Sequence, residues 1–272
     1  MSADLSFTGY GEGAVRVLVL HDWFCDHSSW EAALPYLTPA RFTYIFADLR
    51  GYGASRELKG DCTVAEAAED AIALADKLGW MRFSLVGHSM SGLVVQYLAQ
   101  LIPDRIECVI AITPVPPAGL GLDQPTLDLF RSIALASDES RLTALTAMWG
   151  DRLSETWVRY KLRRWRETAD PAAVAKYVEL WGSTDISEGV HGIETPLLII
   201  AGGQDAPPFQ PEALAESMMP YYPNAEMITL AESGHYPMQE QPPLLATVME
   251  RFLVKTAGCA DERIDITRIT RL

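Results

Sequence analysis

The chain has 272 residues, more than the roughly 100–200 of a common domain, so it holds one large domain or one domain carrying an insertion. Hydrophobic residues at 49% and charged residues at 21% exclude disorder, a collagen-like repeat and a whole-length coiled coil, and they give a chain able to bury a sizeable core. Lysine and arginine number 22 against 36 acidic residues, a formal charge of −14. That sign is wrong for a phosphate backbone and for an anionic lipid surface, so neither nucleic acid nor membrane is an expected partner.

In chain order, the N-terminal MSADLSFTGYGEG is acidic and polar and lacks the apolar core of a signal peptide. Short apolar runs follow at Val15–Leu20, Phe42–Ala47, Phe83–Val86, Ile106–Ile112, Leu197–Ala201 and Ala225–Leu230. Each has the length and β-branched content of a strand buried on both faces, as in a parallel sheet. Helix signals lie between them. Thr63-Val64-Ala65-Glu66 is a capping box, and the run it opens carries apolar residues at helical spacing up to Gly79. Met90–Leu101 is largely apolar and stops before Pro103, and Pro242–Val254 reads as a final helix. This alternation predicts an α/β fold of right-handed βαβ units with helices on both faces of the sheet.

The alternation breaks between about Gly119 and Gly192, a helix-rich stretch with four of the seven tryptophans, Trp149, Trp157, Trp165 and Trp181. The expected organisation is therefore a core of residues 1–118 and 193–255, a helical insertion at 119–192 and a polar tail at 256–272. Within the insertion, Lys161, Arg163, Arg164 and Arg166 read as a solvated helix face, the sharper reading being an anion-binding rim. Cys25, Cys62, Cys108 and Cys259 are scattered without a CxxC pair, which fits a reducing cytoplasm and gives no metal-ligand spacing. His21, Asp26 and His27 lack the usual helical spacing of metal ligands, and no metal is expected there.

The chemistry concentrates in SLVGHSMSGL, residues 84–93, where a strand runs directly into a helix through Gly87-His88-Ser89-Met90-Ser91-Gly92. A turn this tight needs small residues two positions either side of its centre, and Gly87 and Ser91 supply them. Ser89 is then strained and exposed at a helix N-terminus, where backbone N–H groups can meet developing negative charge. A serine hydroxyl needs a base. His235, in Glu232-Ser233-Gly234-His235-Tyr236-Pro237 after the last strand, can reach over the strand carboxyl ends. Asp205, in the glycine-rich turn after Leu197–Ala201, faces the same edge and can orient the imidazole.

These motifs resemble the α/β-hydrolase superfamily: the Gly-x-Ser-x-Ser-Gly elbow, with Ser91 where glycine is usual, the run around His235 that ends in Glu240 and Pro242, and the order Ser89, Asp205, His235. The turn Asp48-Leu49-Arg50-Gly51-Tyr52-Gly53-Ala54-Ser55 resembles another of its motifs and reads as structural. The loop His21-Asp22-Trp23-Phe24 resembles its oxyanion loop. The resemblance implies an α/β-hydrolase fold with a helical cap and a serine nucleophile, Ser89. It implies oxyanion donors from the Met90 and Trp23 N–H groups, with Phe24 as the fallback, and no cofactor. Asp22 replaces the usual glycine, and its carboxylate opposes an oxyanion unless it points away. His21 is expected to brace this loop. Phe24, His88, Phe130, Met148, Trp149 and Trp157 are the expected pocket residues, although aromatic residues at helical spacing also suit plain core packing.

The expected activity is cleavage of a carboxylic ester or lactone of a medium-sized, largely apolar small molecule through an acyl-enzyme. Two other classes stay open. One is a cofactor-free dioxygenase on a heteroaromatic substrate, suggested by Trp23-x-x-Asp26-His27-x-x-Trp30, and it would show as oxygen uptake. The other is a receptor that retains the triad, and it would show as slow turnover with ligand-induced movement of residues 119–192.

Overall fold

The β-branched runs form one seven-stranded sheet in the computed structural model, which describes residues 2–149 and 152–257. Its strands are β1 (Phe7–Tyr10), β2 (Val15–Leu20), β3 (Phe42–Ala47), β4 (Phe83–His88), β5 (Ile106–Ile112), β6 (Leu197–Gly202) and β7 (Ala225–Leu230). The spatial order is β1-β3-β2-β4-β5-β6-β7, and every pairing is parallel except β1 with β3.

Strand β1 was not legible as a strand in the polar N-terminal text. It is an edge strand whose residues are mostly exposed, so no apolar run marks it. Strand β7 also departs from the expected two-sided burial. It closes the other edge, and Glu226, Ile228 and Thr229 are exposed.

Ten α-helices flank or follow these strands among the described residues: α1 (Val64–Lys77), α2 (Met90–Leu101), α3 (Gln124–Leu135), α4 (Asp138–Trp149), α5 (Glu155–Thr168), α6 (Pro171–Gly182), α7 (Ser187–Val190), α8 (Pro211–Met218), α9 (Pro237–Glu240) and α10 (Pro242–Thr256). The capping box holds at α1, with Thr63 Oγ1 accepting from Glu66 N at 3.1 Å while the Glu66 carboxylate reaches back to Cys62 N at 2.7 Å. Helices α3 to α7 all fall between β5 and β6. Helix α10 runs to Thr256, one residue into the expected tail, and residues 258–272 with Cys259 lie outside the described ones. No described helix is long and apolar enough to cross a membrane.

Strand β2 pairs with β3 on one side and β4 on the other. The chain therefore winds away from β2 in both directions, and the loops after β2 and β4 diverge over the carboxyl edge, where open parallel sheets leave a crevice.

The loop after β3 is tied down by charge. Asp48 accepts from His27 Nδ1 at 2.7 Å and from Ala54 N at 3.0 Å, and Arg50 donates twice to Asp70, at 2.6 and 2.9 Å. Arg50 and Asp70 are both buried. Removing Asp70 takes away two charge-assisted bonds and leaves the buried Arg50 to Glu66, 3.3 Å away, and to the Lys59 carbonyl, so Asp70→Ala is expected to cost about 2–4 kcal/mol in urea unfolding. A loss below about 1 kcal/mol would contradict that account.

Candidate active site

The turn between β4 and α2 places Ser89 at φ 54° and ψ −114°, in the left-handed half of backbone space that a residue with a Cβ rarely occupies. Three main-chain bonds hold it there: Ser89 N to Ile112 O at 2.9 Å, Gly92 N to Ser89 O at 2.9 Å and Val115 N to Ser89 O at 3.0 Å. Two of these come from β5 and the loop after it, so the strain is sustained by the neighbouring strand. A Cβ at Gly87 would lie 2.3 Å from Ser91 O. That close approach is why the position two before Ser89 is glycine, while the Ser91 hydroxyl donates to His21 O.

His235 follows β7 and lies between two partners. Its Nε2 is 2.9 Å from Ser89 Oγ, and its Nδ1 is 2.8 Å from Asp205 Oδ2. Ser89, Asp205 and His235 are 8%, 6% and 6% exposed, so the three residues separated in sequence meet as buried side chains. Asp205 is steadied by Ala206 N, which donates to Oδ1 at 2.7 Å. Gly202, at the end of β6, admits the His235 loop, since a Cβ there would lie 2.3 Å from Gly234 O. Burial alone would lower the His235 pKa. The Asp205 charge and hydrogen bond outweigh burial, and the net direction is up from 6.5.

Glu240 is a brace that sequence reasoning quoted only as part of a motif. It accepts from Gly234 N at 2.7 Å and Tyr236 N at 3.0 Å, one bond on each side of His235, and it pairs with Arg152. Its spacing of five residues from His235 was the available signal.

The β2 loop lies opposite. Leu49 N donates to His21 Nε2 at 3.0 Å, so the His21 proton sits on Nδ1, which donates to Asp22 O at 2.7 Å. That carbonyl shares a peptide plane with Trp23 N–H, so His21 orients the peptide. Phe24 N is turned toward Asp22 Oδ2 at 3.4 Å, which leaves Trp23 the better placed of the two candidate donors. Met90 is the first residue of α2, where an N–H has no partner within its own helix.

A cavity of about 280 Å³ opens at Ser89 and His235. Of the expected pocket residues, Phe24, Phe130, Met148 and Trp149 line it, and His88 and Trp157 do not; Trp23, the expected oxyanion donor, also lines it. His88 is wholly buried beneath the site, donating from Nε2 to His235 O at 2.6 Å, and burial pushes its pKa down to about 3. Trp157 packs behind, its ring 5.9 Å from Trp149 and 5.5 Å from Tyr236. The sequence reading missed Val115, Leu120, Leu122, Trp181, Pro208 and Phe209 in the lining. Phe209 lies edge-on to His235 with ring centroids 4.7 Å apart, and its position four residues after Asp205 was the signal that could have found it.

The basic cluster also differs from expectation. Arg163 and Arg166 are exposed, Arg164 donates to Ser28 Oγ at 2.6 Å, and Lys161 is wholly buried. Asp26, His27 and Asp48 do bring ligand-type atoms within 4.8 Å of one another. Hydrogen bonds from His27 to Asp48 and from Arg164 toward Asp26 already occupy these groups.

An elbow serine, an imidazole over the strand carboxyl ends and an acid after β6 define a recognisable class, and the sequence comparison agrees. The model of the Alpha/beta hydrolase family matches residues 17–248, and the chain belongs to that family. Among curated relatives, a pimeloyl-[acyl-carrier protein] methyl ester esterase of Legionella pneumophila (strain Corby) is 26% identical over 246 residues, covering 90% of this chain and 97% of that protein. Among solved structures, a bromoperoxidase from Bacillus anthracis is 25% identical with a TM-score of 0.79, covering 92% of this chain and 95% of its own. The enol-lactonase from Burkholderia xenovorans LB400, at 24% identity and TM-score 0.79 over 92% of this chain and 96% of that one, shares the fold.

Gly87→Ala forces a methyl group against the Ser91 carbonyl. The expected cost is about 1–3 kcal/mol in urea unfolding, as for other overpacked positions. An unchanged midpoint would show that the elbow is looser than its contacts indicate.

Proposed function

We propose that this protein is a serine hydrolase that cleaves a carboxylic ester or lactone of a medium-sized, largely apolar molecule. The hydrogen-bonded line from Ser89 Oγ through His235 to Asp205 carries this reading. His235 Nε2 takes the hydroxyl proton as Ser89 Oγ attacks the carbonyl carbon. The tetrahedral oxyanion accepts from Met90 N–H and Trp23 N–H. Collapse expels the alcohol, protonated by His235, and leaves the acyl group on Ser89. Water, deprotonated by the same imidazole, then releases the acid. Asp205 holds the imidazole in the tautomer that presents Nε2 and stabilises the imidazolium.

The substrate class follows from the lining. Apart from Ser89, Asp205 and His235, every lining side chain is apolar, and many are aromatic. Such a wall takes an uncharged acyl or alcohol group and offers no cation to a free carboxylate. Helices α3, α4 and α6 contribute Phe130, Met148, Trp149 and Trp181, so the 119–192 insertion acts as the cap that shapes the pocket. The acid on His235 follows β6, while Thr113-Pro114-Val115 after β5, where the dioxygenase-like members carry theirs, holds no carboxylate, which favours this reading over the dioxygenase.

Ser89→Ala is expected to lower p-nitrophenyl butyrate turnover by at least about 10⁴-fold and to abolish labelling by a fluorophosphonate. Retained activity in that variant would overturn the mechanism. The base must be unprotonated to act, and the Asp205 carboxylate shifts its pKa up from the ordinary histidine value. The value of kcat/KM is therefore expected to fall toward acid with an inflection above pH 6.5. An inflection near pH 5 would contradict the Asp205 pairing.

A further inference from the structure

Lys161 lies in α5, 0% exposed, and its Nζ makes no ion pair or oxygen hydrogen bond among the described residues; the buried Cys25 thiol is the polar side chain beside it. Burying an unpaired ammonium is costly, so its surroundings must supply compensation. Nζ sits 3.7 Å from the centroid of the Tyr236 ring and 5.7 Å from that of Trp157, which is cation–π range. The Tyr236 hydroxyl in turn donates a short hydrogen bond to Asp22 Oδ2. Tyr236 is thus held between a positive and a negative charge, and donation to the carboxylate enriches the ring that faces the ammonium.

Asp22 is itself wholly buried. Burial would push its carboxyl pKa up, but Lys161, foremost among the opposing influences, and the Tyr236 hydroxyl hold it below the usual carboxylate range. Asp22 is therefore a buried anion behind the cavity wall, on the residue that precedes Trp23. Uncompensated, it would repel the negative charge that develops on the substrate carbonyl.

We propose that Lys161 is a positioning residue of the oxyanion hole: from the inserted helix it supplies, across Tyr236, the counter-charge that lets Asp22 stand beside the Trp23 donor. The inference rests on the serine-hydrolase reading. It assigns the inserted helices an electrostatic part in the chemical step, in addition to shaping the pocket. Asp22 orients Phe24 N–H and Tyr236, and Lys161 cancels the charge of the carboxylate that does so.

The test compares Lys161→Met, which keeps length without charge, with the Asp22→Asn/Lys161→Met double variant. The readouts are kcat and KM on p-nitrophenyl butyrate, inhibition by an aryl trifluoromethyl ketone whose adduct carries an oxyanion, and the melting temperature. Lys161→Met is expected to lower kcat about 10- to 100-fold with KM within about threefold, and to weaken the ketone by a similar factor. The double variant is expected to recover most of that loss, because no anion is left to compensate. An unchanged kcat in Lys161→Met overturns the proposal, as does a double variant no faster than Lys161→Met. Should Lys161→Met not fold, the double variant is compared with the unaltered protein. A kcat within about fivefold supports the proposal, and a larger loss overturns it. Failure of the unaltered protein to react with a fluorophosphonate at Ser89 would instead overturn the serine-hydrolase reading.

Discussion

Ser89 stands in a backbone conformation that costs of order 1–3 kcal/mol, and the architecture around it exists to maintain that conformation. Its carbonyl and N–H are bound by β5 and the loop after it, and Gly87 gives α2 room to start immediately. A relaxed turn would swing the hydroxyl away from His235 Nε2. The parallel sheet matters because β4 and β5 run side by side in the same direction, so the loop leaving one can clamp the loop leaving the other.

A second constraint is charge in a dry place. Asp205, Asp22, Lys161 and His88 are all buried around one imidazole. Three are assigned distinct tasks by their hydrogen bonds, Asp205 to His235 Nδ1, Asp22 to the Tyr236 hydroxyl and His88 to the carbonyl of His235, and Lys161 by its place over the Tyr236 ring. Glu240 then fixes the backbone on both sides of His235. The His235 loop is therefore bound at its N–H groups, its carbonyl and its ring, which leaves the imidazole little freedom to leave Ser89 Oγ.

Much of this was legible in the sequence because the parts obey local rules. Buried parallel strands are continuous apolar runs, and each candidate triad residue follows one of them on a turn marked by glycine. Strand β1 was illegible for the converse reason, since an exposed edge strand has no such run. The pocket was read less well. Trp157 and Trp181 both lie on inserted helices, and only helix packing turns Trp181 toward the cavity and Trp157 behind it. Lys161 is the sharpest case. In a stretch with Arg163, Arg164 and Arg166 it reads as a solvated charge, and its burial depends on Tyr236 and Asp22, which lie far away along the chain.

The central claim is that the Ser89 hydroxyl becomes acylated during turnover. The direct measurement is to quench the reaction with p-nitrophenyl butyrate in acid and to map the trapped acyl group by tandem mass spectrometry of the proteolytic peptides. The account predicts a butyryl ester on Ser89 that forms and decays at rates compatible with turnover. Turnover without acylation of Ser89, or with the acyl group on another side chain, would contradict it.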